Sequence, residues 1–159
     1  MQADFPANAE AKQVIIGSGS KTLLFAAMHA LQGDVLLPAP TWVSYDTQAH
    51  LTGKKIQWIK TDLENNYCLT PAQLKMGIEA ARAAGLSPAI LVVNSPGNPT
   101  GVLYPPDLLA ELAAVARAEQ ITIISDEIYS LTTYGSTPHI SMAHYYPEGE
   151  IVTGGLSKH

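Results

Sequence analysis

Charge is scarce in this sequence. Asp, Glu, Lys and Arg make up 14% of its 159 residues, against roughly 25% in an ordinary soluble domain. Bases are the scarcer sign. Between Ala83 and Ser157 the single base is Arg117, set against Asp107, Glu111, Glu119, Asp126, Glu127, Glu148 and Glu150. A net charge of −5 speaks against nucleic acid and anionic membranes as partners. The one cysteine, Cys68, excludes a disulfide framework and fits a reducing, cytoplasmic setting. No apolar run approaches the roughly 20 residues that span a bilayer. Met1-Gln2-Ala3-Asp4-Phe5 lacks the basic and apolar regions of a signal peptide. His29, His50, His139, His144 and His159 show no zinc-ligand spacing, so no metal site is expected.

Apolar residues are plentiful at 47%, enough for a core, and they fall in short runs between helical patterns. Strands are expected at Gln13–Ile16 (a short strand or strand-like lead), Asp34–Leu37, Lys55–Ile59, Ala89–Val93, Ile121–Ser125 and Ile151–Thr153. Helices are expected from Lys21 to Leu31, with Leu23, Leu24, Ala27, Ala30 and Leu31 on one face, and from Thr41 to Leu51. A third opens at Thr70-Pro71, an N-cap followed by proline, and ends before Gly85. The fourth, Pro106 to Glu119, turns Leu108, Leu109, Leu112 and Val115 inward. Such alternation predicts an α/β fold, a mostly parallel sheet with helices on both faces. Ligands of these sheets bind beyond the carboxyl ends of the strands, and the unusual residues of this sequence cluster there.

Gly17-Ser18-Gly19-Ser20-Lys21 leads into a helix, where free N–H groups and the helix dipole make an anion cradle. It is no P-loop, because Ser20 and Ile15 stand where that motif needs glycine. A plain glycine turn is the competing interpretation. Trp42 offers a flat ring for stacking, although a lone aromatic more often serves the core. Asn94-Ser95-Pro96-Gly97-Asn98-Pro99-Thr100-Gly101 is a stiff loop that holds the Asn98 amide, unless that amide serves only its own backbone. Ser125-Asp126-Glu127-Ile128-Tyr129 ends a strand with a carboxylate that needs a cation or strong donors, or else caps the next segment. Gly154-Gly155-Leu156-Ser157-Lys158 sets an isolated lysine after a strand. Most single lysines are solvated charges, but one in a partly desolvated pocket can form a Schiff base with a carbonyl.

Together these segments supply a phosphate cradle, a stacking ring, a fixed amide, a carboxylate with a phenol, and an amine. Those groups suit pyridoxal 5′-phosphate. On the Asn-Ser-Pro-Gly-Asn-Pro-Thr-Gly, Ser-Asp-Glu-Ile-Tyr and Gly-Gly-Leu-Ser-Lys motifs, from about Gln13 to His159, the chain resembles the class I/II aminotransferases, which are fold-type I pyridoxal-phosphate enzymes. The resemblance implies an incomplete large domain over residues 13–159, after a lead-in of residues 1–12 and without the small domain. It implies transfer of an amino group from an amino acid to a 2-oxo acid in amino-acid metabolism, by a cytoplasmic enzyme that is a homodimer at full length. A C–S lyase, decarboxylase or acyltransferase on the same cofactor, or a non-catalytic binding or assembly piece, is the alternative.

The resemblance also implies roles. Lys158 is the Schiff-base lysine and moves the proton at Cα. Asp126 pairs with the pyridinium nitrogen, Asn98 and Tyr129 hydrogen-bond the ring's 3′ oxygen, and Trp42 stacks on the ring. Ser20 and Lys21, beside Gly19, receive the phosphate through backbone N–H groups. Many relatives carry serine where this chain has Gly155, so that phosphate contact either comes from Ser157 or is lost.

Overall fold

The computed structural model describes residues 10–134 and 138–158. Five strands form one parallel sheet: β1 (Asp34–Ala39), β2 (Ile56–Lys60), β3 (Pro88–Asn94), β4 (Thr122–Asp126) and β5 (Glu150–Thr153), in the order β2-β1-β3-β4-β5. The helices are α1 (Ser20–Ala30), α2 (Val43–Leu51), α3 (Pro71–Ala83) and α4 (Pro106–Glu119). The expected α/β architecture is present, with parallel strands throughout.

The central strands are apolar on both faces because both faces are covered. Val35, Leu37, Ile90, Val92 and Ile124 pack with Leu24 and Met28 of α1 and with Tyr45 and Ala49 of α2. Their neighbours Leu36, Leu91, Val93 and Ile123 point the other way, onto Leu74, Ile78 and Ala81 of α3 and Leu109, Leu112 and Ala116 of α4. Period-two alternation therefore divides one sheet between two cores. The α3 N-terminus is fixed as its sequence suggests: Gln73 N donates to Thr70 Oγ1 at 3.3 Å, and Thr70 N donates back to Gln73 Oε1 at 2.9 Å. Gly77 lets α3 lie close to β2, since a Cβ there would stand 2.6 Å from Ile59 side-chain atoms. No helix among the described residues is long and apolar enough to cross a membrane.

Two details differ from the expected pattern. Gln13–Ile16 is not a strand. Ala11–Gln13 form a single 3-10 turn, and Val14, Ile15 and Ile16 run on exposed, Ile16 at 93%. A β-branched run becomes a strand only beside a neighbour with free backbone groups, and these residues have none among the described segments. On α1, Met28 is buried while Ala30 is exposed. The longer side chain reaches the sheet one turn below Leu24.

Chain order reverses between β1 and β3. The sequence moves outward from β1 to β2 and returns to β3 on the other side of β1. Ligand-binding crevices open at such a switch, beyond the carboxyl ends of the strands.

Candidate active site

A cavity of about 280 Å³ occupies that crevice. Four of the five strand ends contribute side chains: Trp42 and Tyr45 follow β1, Asn94 closes β3 with Asn98 in the loop beyond, Asp126 closes β4 with Tyr129 after it, and Lys158 follows β5. Ser20, at the start of α1, completes the rim, and Ile128 supplies apolar wall.

Asp126 is the buried centre, 2% exposed. Tyr45 Oη donates to its Oδ2 at 2.6 Å, while Ile128 N and Thr153 Oγ1 donate to Oδ1 at 3.2 and 3.3 Å. Burial raises its pKa above the ordinary carboxylate value, against the pull of these three donors. The same burial, with the charge of Asp126 beside it, pushes the Tyr45 phenol upward, so this hydroxyl stays a donor. A carboxylate this deep, opposite an open cavity, is suited to a cationic ligand atom.

The amides form a chain behind it. Asn94 Nδ2 donates to the Asp126 carbonyl at 2.8 Å, and Asn94 Oδ1 accepts from Asn98 N at 2.7 Å. The loop carrying Asn98 is thereby tied to the strand end carrying Asp126. Trp42 and Tyr45 meet edge to face with ring centres 5.3 Å apart. At the opening, Lys158 Nζ lies 6.0 Å from the centre of the Tyr129 ring.

The α1 N-terminus also faces this region. Gly19 caps it at φ 96° without a side-chain bond, a conformation only glycine adopts readily, and nothing lies within 4 Å of where its Cβ would be. Gln48 Nε2, past the middle of α2, donates to the Lys21 carbonyl at 2.9 Å and ties the start of α1 to that helix.

Of the residues singled out from sequence, Ser20, Trp42, Asn98, Asp126, Tyr129 and Lys158 line the one cavity. Gly19 and Lys21 flank Ser20 without lining it, and the Lys21 ammonium instead sits 5.1 Å from the Trp42 ring centre. Ser157 is exposed on the 3-10 turn Leu156–Lys158 and does not line the cavity. Tyr45 and Asn94 were not foreseen. Tyr45 stands three residues after Trp42, a helical spacing that places both on one face.

The sequence pattern of the class I and II aminotransferases matches residues 5–159. This chain belongs to the class I and II aminotransferase family. Aspartate aminotransferase of Bacillus subtilis is 36% identical over 152 residues, which are 92% of this chain and 37% of the relative. The asparagine–oxo-acid transaminase of Streptococcus mutans is 34% identical over 155 residues, 94% of this chain and 38% of its own length. Among solved structures, aspartate aminotransferase from Thermus thermophilus with maleate superposes with a TM-score of 0.80 at 32% identity, covering 88% of this chain and 36% of that one. This aminotransferase chain thus spans well under half the length of the relatives it matches.

Proposed function

We propose that this aminotransferase chain carries the cofactor-binding centre of an enzyme that uses pyridoxal 5′-phosphate to move an amino group from an amino acid to a 2-oxo acid. The observation that carries this is Asp126: a buried carboxylate, held by Tyr45 and open to a cavity that also receives an amine, Lys158. The donor set fits the cofactor part by part. Asp126 would face the ring nitrogen and hold a proton on it. Asn98 and Tyr129 would meet the 3′ oxygen, Trp42 would cover the ring, and the N–H groups of Ser20 and Lys21 would take the phosphate.

Bound there, the cofactor supplies an electron sink for the pair released when the bond from Cα to hydrogen breaks. The protein's share is proton traffic and exclusion of water. Lys158 Nζ would hold the cofactor aldehyde in the resting enzyme and, once freed by substrate, take the Cα proton and return it. The buried hydroxyl of Tyr45 donates to Asp126 and favours its ionised form against burial, which would help hold the proton opposite on the ring nitrogen. A cytoplasmic setting fits the free, buried Cys68, and a homodimer at full length completes the proposal.

Absorbance tests it. Pyridoxal phosphate added to the chain should produce a visible band that Lys158→Ala lacks. An amino acid should bleach the band and a 2-oxo acid restore it. A chain that gives no band, or the same band without Lys158, overturns the proposal. Release of carbon dioxide or of a thiol in place of a 2-oxo acid would move the activity to a decarboxylase or C–S lyase.

A further inference from the structure

β4 ends in two adjacent acids, and only Asp126 lines the cavity. Glu127 is as deeply buried, 2% exposed. Its Oε1 accepts three hydrogen bonds: from Ser125 Oγ at 2.9 Å, Ser141 Oγ at 2.9 Å and Met142 N at 3.1 Å. Its Oε2 accepts none among the described residues and lies 3.6 Å from His139 Nε2, which is also buried and also without a hydrogen bond.

His139 is 6% exposed. Its ring hydrogen-bonds the Ser95 backbone in a way that favours the protonated form, so a carbonyl is accepting. Because Nε2 makes no bond, that contact falls to Nδ1, which therefore carries a hydrogen. A neutral ring then presents a lone pair at Nε2. An ionised Glu127 would set a second lone pair against it inside a dry core, an unfavourable contact. One proton between the two atoms removes the conflict, whether it resides on oxygen or on nitrogen.

We propose that Glu127 and His139 hold one proton between Oε2 and Nε2, and that the pair so joined positions Asp126 and the Asn98 loop for the cofactor, the second half resting on the function proposed above. Three chain segments meet at the pair. Glu127 follows Asp126 directly. Ser95, bonded to His139, donates its N–H to the Asp126 carbonyl at 3.2 Å and begins the loop that carries Asn98. Ser141 and Met142 hold the opposite carboxylate oxygen.

The surrounding charges agree. Burial, with Asp126 adding to it, lifts Glu127 to about 7, and burial holds His139 below its ordinary value. Glu150 of β5 also faces Glu127 electrostatically. Asp126 and Glu150 are both acidic, and both oppose a negative charge on Glu127. Tyr45 reaches the group only through Asp126. His144, on the turn that begins at Met142, stands edge-on to Tyr145.

Nitrogen-15 NMR of the histidine-labelled chain without cofactor reads the ring directly, with His139→Gln assigning its signals. In the wild-type chain the His139 resonances should shift as Glu127, raised to about 7 by burial, titrates. In Glu127→Gln the amide donates to Nε2 at every pH, so the ring should stay neutral with its hydrogen on Nδ1, and the shift should be lost. The same titration in both proteins overturns the shared proton. With pyridoxal phosphate bound, the visible band of the wild-type chain should carry a pH step near the same value, and Glu127→Gln should lose it. A step that persists in the variant overturns the positioning role. Coupled His139 behaviour in a chain that takes up no cofactor supports the shared proton, while the positioning role falls together with the proposed function.

Discussion

Tyr45 Oη donates to Asp126 Oδ2 at 2.6 Å, joining the helix after β1 to the end of β4 across β3. It is the shortest of the three hydrogen bonds that hold this carboxylate, the others measuring 3.2 and 3.3 Å. Short bonds to a charged acceptor are the strong ones.

Removing that donor should weaken the site without emptying it. Tyr45→Phe keeps the ring against Trp42 and leaves Asp126 Oδ2 bare. A bond to a charged group contributes roughly 1.5–3 kcal/mol, so affinity for pyridoxal phosphate should fall about tenfold or more. Titration of the visible band in the variant measures it. Unchanged affinity would mean that Tyr45 serves packing alone.

Asp126→Asn should move binding and stability in opposite directions. The amide cannot oppose a protonated ring nitrogen, and cofactor affinity should drop about a hundredfold or more. The cofactor-free chain should hold or gain thermal stability, because a buried charge has been replaced by a neutral group of the same shape. Paired cofactor and thermal titrations check both signs.

Stability should also decline as pH rises, and Glu150 sets part of the window. Burial, with the charge of Glu127 added, raises Glu150 from 4.5 to about 8. A carboxyl raised on folding favours the folded state while protonated. Its contribution is complete below about 4.5 and is lost as pH climbs through about 8. Thermal midpoints of the wild-type chain should fall across that window, and Glu150→Gln should flatten the fall. Parallel slopes for the two proteins would contradict it.

Gly77→Ala tests the contact between α3 and β2. The new methyl would stand 2.6 Å from Ile59 side-chain atoms, and a clash of this kind in a packed core costs about 1–3 kcal/mol. That outweighs the roughly 1 kcal/mol by which alanine is the better helix former. Urea unfolding should show the loss, and Ile59→Val on the same chain should recover part of it.

Much of this was legible in the chain itself. Val35–Leu37, Ile90–Val93 and Ile123–Ile124 are apolar without interruption because both faces are covered, and a run of that kind reads as a parallel strand from sequence. The parallel topology then sends attention to the strand ends, where Trp42, Asn98, Asp126, Tyr129 and Lys158 stand out by type. Tyr45 and Asn94 were hidden for a physical reason. An aromatic inside a helix and an amide closing a strand ordinarily serve the core and the turn, and it is the tertiary approach of Asp126 that gives the Tyr45 hydroxyl and the Asn94 NH2 group their partner. Val14–Ile16 failed in the opposite way: the local preference for a strand is present, but no neighbouring strand among the described residues accepts it.

Asn94 stands opposite Asp126 as the final paired position of β3 and β4, in the same register that alternates Val92 and Val93 between the two cores. Core and candidate site therefore share a single reading frame. Deleting one residue from β3 would exchange its inward and outward side chains and withdraw the amide from Asp126 in the same stroke. A one-residue slip of these strands therefore cannot keep a good core while it displaces Asn94, so the packing that selects the in-register pairing also guards the amide's place beside Asp126.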